Sequence, residues 1–372
     1  MINILKLLAN WMVFKFPFCF KTVYWLSFVS LICILAIRVT DSYAQESYPE
    51  HFKAVDSNLP GQIQVKTPKS SQFMVQVLKE NWFDARRNRT VQVKIYLPQN
   101  CPEKCPVIIF SHGLGGSRDS AEYLGMAWAR HGFVGVFLQH PGSDASLCAT
   151  EHDRAKIVEK LKSAANGKAG FERVQDVHFA IDQLEKLSLR GSNWGVNLDL
   201  TRIGMSGHSF GARTSLWIAG ESVVLKPGSA TKTFGDPRVG AAIYLSPGKY
   251  SGLLTADQAY SGIKIPGMII TGSEDTDPIR GSKPKDRVAN FDYIKAHDQY
   301  LLFFEGAAHQ TFGGRSRNGA QMELDERTKK LVSEVSLKFF DAYLLHKQNA
   351  LNWMKSKELD QYLSGYAFVK QK

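Results

Sequence analysis

The sequence predicts an α/β fold: a mostly parallel central sheet with helices on both faces. Short apolar runs such as PVIIF (106–110), FVGVFLQ (133–139) and AAIYL (241–245) alternate with longer stretches of helical spacing. Runs that are apolar without alternation suit strands buried on both faces, the situation of a parallel sheet under helices. The length of 372 residues allows two or three domains, or one large α/β domain. Hydrophobic residues at 44% and charged residues at 22% exclude a mostly disordered chain. Five Cys exclude a disulfide-dense scaffold.

Residues 1–44 read as a signal peptide. Lys15 and Lys21 precede an uncharged run over 22–37, and Ser42 and Ala44 fit small-residue cleavage before Gln45. The run is shorter than the roughly 20 apolar residues a membrane span prefers. An uncleaved signal anchor is the second reading. The protein is thus expected to be exported, periplasmic or secreted. Without Lys6, Lys15, Lys21, Arg38 and Asp41, the net charge of +11 becomes +8. An excess of this size permits transient contact with anionic lipid, but no long Lys/Arg run points to nucleic acid. Cys101, Cys105 and Cys148 remain, and Cys101 can pair with Cys105 in an oxidising compartment. No second ligand pair stands near them, so no metal or cofactor is expected.

Residues 45–70 are polar, carry Pro49, Pro60 and Pro68, and read as an extended arm. Residues 71–346 form the predicted catalytic domain, and 347–372 a helical extension. Within the domain, 74–78 and 91–97 are β-rich and hairpin-like. PVIIF then ends in SHGLGGS (111–117), too Gly-rich for a helix interior. Residues 121–131 have helical spacing, with Gly132 as a C-cap signal. A long amphipathic helix is predicted over 171–189, strands over 201–205, 241–245, 267–270 and 300–305, and a last helix over 323–345. The polar stretches 140–170 and 219–237 read as insertions over the C-terminal edge of the sheet, where ligands bind in open α/β sheets. With Phe110, Leu114 and Phe210 they are expected to wall an acyl pocket.

The strongest motif is Gly207-His208-Ser209-Phe210-Gly211, between the strand RIGM and a helical pattern. This strand–turn–helix G-x-S-x-G arrangement is a nucleophile elbow, which lifts a serine hydroxyl to the sheet edge. Ser206 is the nearest rival and lacks the flanking glycines. A serine needs a base, and in this arrangement an acid and then a His follow in the chain. Asp275 is the candidate acid, after strand 267–270 and Gly272; Glu274 and Asp277 are close rivals. His309 is the candidate base, on a loop after the strand YLLFFE; His297 and His346 are the other late histidines. Oxyanion donors are expected from the backbone of Phe210 and, in the Gly-rich loop, Leu114. That loop lacks the spacing of a phosphate cradle. His112 is expected to hold it structurally.

The segments FSHGLGGSRDS, HGFVGVFLQHPGSDAS, MSGHSFGART, TGSEDTDPIRG and AAHQTFGG resemble the bacterial dienelactone-hydrolase-like branch of the α/β-hydrolases. That branch is similar to the plasma-type platelet-activating-factor acetylhydrolases, and the resemblance spans residues 74–345. It implies an α/β-hydrolase fold, a Ser209–Asp275–His309 triad, an oxyanion hole at Leu114 and Phe210, and short acyl esters or phospholipid sn-2 acyl groups as substrates. Two departures stand out. Dienelactone hydrolases carry Cys where Ser209 stands, and the acetylhydrolases carry a further Gly where Ala212-Arg213 follow. Polyester hydrolysis or amidase activity on the same triad, and a non-catalytic binding module on the same scaffold, are the competing readings. Trp353, Tyr362 and Tyr366 suggest that the C-terminal extension docks on the domain.

Overall fold

A computed structural model describes residues 72–190, 194–277 and 279–372. The predicted signal peptide and arm lie outside the described residues. Among those residues the main sheet has nine strands in the order β1-β2-β4-β3-β5-β8-β9-β10-β11. They are β1 (Val75–Asp84), β2 (Arg89–Pro98), β3 (Cys105–Ser111), β4 (Val134–Gln139), β5 (Leu198–His208), β8 (Val239–Leu245), β9 (Gly267–Glu274), β10 (Gln299–Ala308) and β11 (Ala367–Gln371). A separate ribbon of β6 (Ser222–Val223) and β7 (Lys232–Thr233) lies in the second predicted insertion. Strands β4, β3, β5, β8, β9 and β10 run parallel; β1, β2 and β11 attach antiparallel at the flanks.

The apolar runs make strands because both of their faces are covered. In β3, Val107 and Ile109 join one core, while Ile108 and Phe110 join the other. Helix α1 (Glu122–His131) and helix α8 (Ala320–Tyr343) cover the second core with Trp128, Val335, Phe339 and Phe340. On the first, α3 (Gly167–Arg190) lays down Val174, Val177, Ile181 and Leu184, spaced three and four apart as one helical stripe. Each such fully buried side chain contributes about 1.5–3 kcal/mol relative to exposure. Gly132 ends α1 at φ 104°, a left-handed conformation that glycine takes without strain.

The topology places the site. From β3 the chain passes to β4 on one side, then returns to β5 on the other. Connections therefore diverge between β3 and β5, leaving a crevice at their C-terminal ends. The loops after β3, β5, β9 and β10 all open at that edge.

Two expectations about elements need correction. The residues between the first two strand runs are mostly strand: β1 reaches Asp84, β2 starts at Arg89, and only a short turn with Asn88 at φ 49° separates them. The C-terminal extension is helical only in part. After α9 (Gln348–Lys355) and α10 (Lys357–Leu363), β11 pairs antiparallel with β10, so 300–305 is not the last strand. The extension is docked, as its aromatic residues suggest: Met354, Leu359 and Leu363 are buried, and Trp353 packs edge-on against Tyr362.

Candidate active site

Ser209 sits at the tip of a sharp turn between β5 and α4 (Phe210–Ile218), at φ 56° and ψ −112°. A non-glycine residue held there stores about 1–3 kcal/mol of backbone strain. The turn is possible because its neighbours carry no side chain. A Cβ on Gly207 would overlap the Gly211 carbonyl, and one on Gly211 would overlap the Ser111 carbonyl of β3. The Ser209 N–H donates to the Leu245 carbonyl at 2.8 Å, which ties the elbow to β8.

The structure brings Ser209, His309 and Asp275 together. His309 Nε2 lies 3.0 Å from Ser209 Oγ, and Nδ1 lies 2.7 Å from Asp275 Oδ1. An ionised Asp275 can only accept, so Nδ1–H donates to the carboxylate and Nε2 is left to accept from Ser209. Asp275 is fully buried. Its Oδ2 accepts from Ser246 at 2.6 Å and Thr271 at 2.7 Å, and Arg287 Nε lies 2.9 Å from Oδ1. Burial pushes the Asp275 pKa up, but the His309 hydrogen bond and the Arg287 charge outweigh it and hold the carboxyl below its ordinary value. Arg287, itself buried, also donates to the Ser246 and Pro247 carbonyls. Beneath His309, buried His208 donates from Nε2 to the His309 carbonyl at 2.9 Å. Burial and the neighbouring His309 keep His208 neutral.

None of the rivals joins this relay. Glu274 is exposed and paired with Arg317. Asp277 Oδ1 accepts the N–H groups of Ile279 and Arg280, so it shapes its own turn. Ser206 is buried within β5. His297 and His346 do not line the cleft around Ser209, whereas His208 and His309 do.

Across the cleft, the loop after β3 is held by a second buried polar cluster. His112 Nδ1–H donates to the Gly113 carbonyl at 2.6 Å, and its Nε2 accepts the His140 N–H at 3.1 Å. His140 donates from Nδ1 to Asp176 at 2.9 Å and accepts from Ser111 at Nε2. Burial and the Arg173 charge push both histidines down, His140 to about 4, so both are neutral at pH 7. Arg173, fully buried on α3, donates to Ser143 at 2.8 Å, to Thr214 and Ser111 at 3.2 Å, and to the His112 carbonyl. Its guanidinium also lies over the Phe210 ring, 4.7 Å from the centroid. Leu114 and Phe210 both line the cleft, and their backbone N–H groups have no acceptor among the described residues.

The predicted acyl walls are not where the sequence reading put them. Phe110 is core, packed between Trp128 and Phe137, because its position on β3 directs it under α1. No residue of 140–170 or 219–237 lines the cleft. The first stretch instead buttresses the Gly-rich loop: Leu161 of α2 (Arg154–Ala164) packs against Gly115, and Ser143 accepts the Gly115 N–H. Cys101 is paired with Cys105, and Cys148 is free. Among the described residues, no group of three or more His, Cys, Asp or Glu could hold a metal ion, and no helix is long and apolar enough to cross a membrane.

Sequence reasoning missed Arg287, Ser246, Thr271, His140, Arg173 and Asp176. Only the last two left a local signal: two charges, three apart, on the apolar stripe of α3.

Residues 66–178 match the family model of platelet-activating factor acetylhydrolase, isoform II. The matched stretch holds β1 to β4, the Gly-rich loop, Arg173 and Asp176, and ends before Ser209. The chain is also similar to a platelet-activating factor acetylhydrolase of Cavia porcellus, 21% identical over 359 residues that cover 83% of this chain and 75% of that protein. Both findings agree with the resemblance carried by the motifs. The chain has the α/β-hydrolase fold and is similar to the platelet-activating factor acetylhydrolases.

Proposed function

We propose that this protein is an exported serine hydrolase that cleaves carboxylic esters through an acyl-enzyme on Ser209. The observation that carries the reading is the continuous relay from Ser209 Oγ through His309 to a buried, ionised Asp275. In the first half-reaction Ser209 Oγ attacks the ester carbonyl while His309 Nε2 takes its proton. Asp275 keeps Nδ1–H in place and stabilises the imidazolium. The carbonyl oxygen becomes an oxyanion, and the free N–H groups of Leu114 and Phe210 are its donors. The tetrahedral intermediate collapses, the alkoxide leaves, and His309 returns the proton to it. Water repeats the sequence to release the acid and free Ser209.

The favoured substrates are short-chain acyl esters or the sn-2 acyl group of a phospholipid. A cleft of about 270 Å³ sits at the small end of ligand pockets and suits a short acyl chain. Relatedness to the acetylhydrolases supports the same choice. Export is supported by the N-terminal signal pattern and suits the Cys101–Cys105 pairing. The test is hydrolysis of p-nitrophenyl esters from acetate to palmitate. Cleavage that falls as the chain lengthens is expected. Inertness on every ester would leave a binding module on a hydrolase scaffold as the better reading.

A further inference from the structure

We propose that Arg317 and Asp325 are positioning residues: together they set the spacing of Asp275 and His309 across a break in the sheet. The inference rests on reading Ser209, His309 and Asp275 as the reacting centre. It names residues outside that relay on which the relay's geometry depends.

Asp275 and His309 stand just beyond the ends of two neighbouring parallel strands, β9 and β10. Continuous pairing would hold two such residues in register, but here the pairing lapses. Phe304 pairs with Gly272 and Ala308 with Glu274, so residues 305–307 stand opposite Ser273 alone. Gly306 takes φ 68° in this break, and its N–H donates to Ser273 Oγ at 2.8 Å. The ladder therefore does not fix how far the two strand ends stand apart.

Arg317 spans the break. Its Nη2 donates to the Gly306 carbonyl at 2.7 Å. Its Nη1 donates to the carboxylate of Glu274, the residue before Asp275. Its Nε and Nη2 fork onto Asp325 of α8 at 3.0 and 2.8 Å. Asp325 is fully buried and also accepts from the Thr311 hydroxyl at 2.7 Å and the Arg317 N–H at 2.8 Å. Thr311 is buried on the one-turn helix α7 (His309–Phe312). One guanidinium thus ties the strand end of the acid, the break and, through Asp325, the helix that begins with His309. Burial pushes the Asp325 pKa up, but the bonds from Arg317 and Thr311 outweigh it and hold the carboxyl below its ordinary value. Neither Arg317 nor Asp325 lines the cleft, so both act through the residues they hold. A bidentate pair on a buried carboxylate fixes direction as well as distance. The relay needs both, because a shift of about 1 Å at a reacting group can cost about 10²-fold in rate.

The experiment compares the full chain with Arg317→Gln, Arg317→Lys and the Arg317→Gln/Asp325→Asn double variant, well below their melting temperatures. It reads kcat and KM on the p-nitrophenyl ester that wild type cleaves best. It also reads the low-field proton NMR resonance of His309 Nδ1–H, assigned by its loss in His309→Gln. Arg317→Gln should lose about tenfold or more in kcat, with KM nearly unchanged, and should shift or broaden the resonance. Arg317→Lys keeps the charge without the fork and should recover part of the kcat. The double variant leaves no buried unpaired carboxylate, so its melting temperature should return toward wild type while kcat stays low. A kcat that returns with the melting temperature would make the pair a purely structural one and overturn the proposal. An unmoved resonance in Arg317→Gln would overturn it as well. If wild type cleaves no ester, the serine hydrolase reading fails, and the resonance alone decides the positioning role.

Discussion

The two buried polar clusters flanking Ser209 each hold an arginine, yet they use it differently. On the acid side, Arg287 lies 2.9 Å from the Asp275 carboxylate, and the pair is surrounded by donors and acceptors that complete it. On the loop side, Arg173 has no carboxylate within ion-pair distance among the described residues; it bonds to three hydroxyls and a carbonyl. One cluster fixes a charge, and the other fixes a shape. In the first the paired charge is what the proposed chemistry uses. In the second a buried cation anchors the backbone that carries the Leu114 N–H and stacks on Phe210, the other proposed oxyanion donor.

The sharpest way to break this comparison is to remove charge from one side and geometry from the other. Asp275→Asn keeps volume but replaces one accepting oxygen by a donor and leaves buried Arg287 without its counter-charge. The wrong imidazole tautomer is then favoured, kcat should fall about 10⁴-fold, and stability should fall by about 3–5 kcal/mol. A fall below tenfold would mean that the acid-side charge is not used.

Arg173→Met should act through the backbone. It leaves the His112 carbonyl and three hydroxyls short of a donor, at a cost of about 1–3 kcal/mol in stability. The loop then holds its N–H less well at the oxyanion, and kcat should drop about 10²-fold with KM nearly unchanged. Equal losses in kcat and in binding of a substrate analogue would show that the residue shapes the cleft rather than the oxyanion donors.

A smaller effect separates the clusters by pH. His112 and His140 on the loop side, and His208 under His309, all have pKa values below the unfolded value of about 6.5. A depressed histidine stabilises the fold above its unfolded pKa and loses that contribution as pH falls through the folded one. Stability should therefore decline between pH about 6.5 and about 4, where His140 titrates. The carboxylates come later. Burial raises the Asp176 pKa, but hydrogen bonds from His140 and Arg89 win and hold it near about 2, so its contribution is lost only below its ordinary range. Denaturant melts across this window should show a slope that His112→Asn makes shallower. An unchanged slope would place the acid sensitivity outside the loop cluster.

What could be read from the sequence divides along the same line. The elbow is local: strand, Gly-x-Ser-x-Gly and helix lie within Leu198–Ile218, and the sterics that demand Gly207 and Gly211 act within that span or against β3. Asp275 and His309 were readable because each follows a buried strand at the functional edge. Arg287 was not, because its partners Ser246 and Asp275 lie 41 and 12 residues away and nothing in PKDRVANFDY marks one arginine. The pocket walls failed for a related reason. Pattern tells which residues are apolar, but the pleat decides which face of β3 Phe110 takes. The closing strand β11 is five residues long, too short to stand out against the helices before it.

The central claim is that Ser209 is the nucleophile that His309 activates. Its most direct test sets wild type beside Ser209→Ala on the p-nitrophenyl ester that wild type cleaves best. The account predicts that the variant folds normally and loses about a thousandfold or more in kcat. A variant as active as the wild type would contradict it and move the chemistry to another group in the cleft.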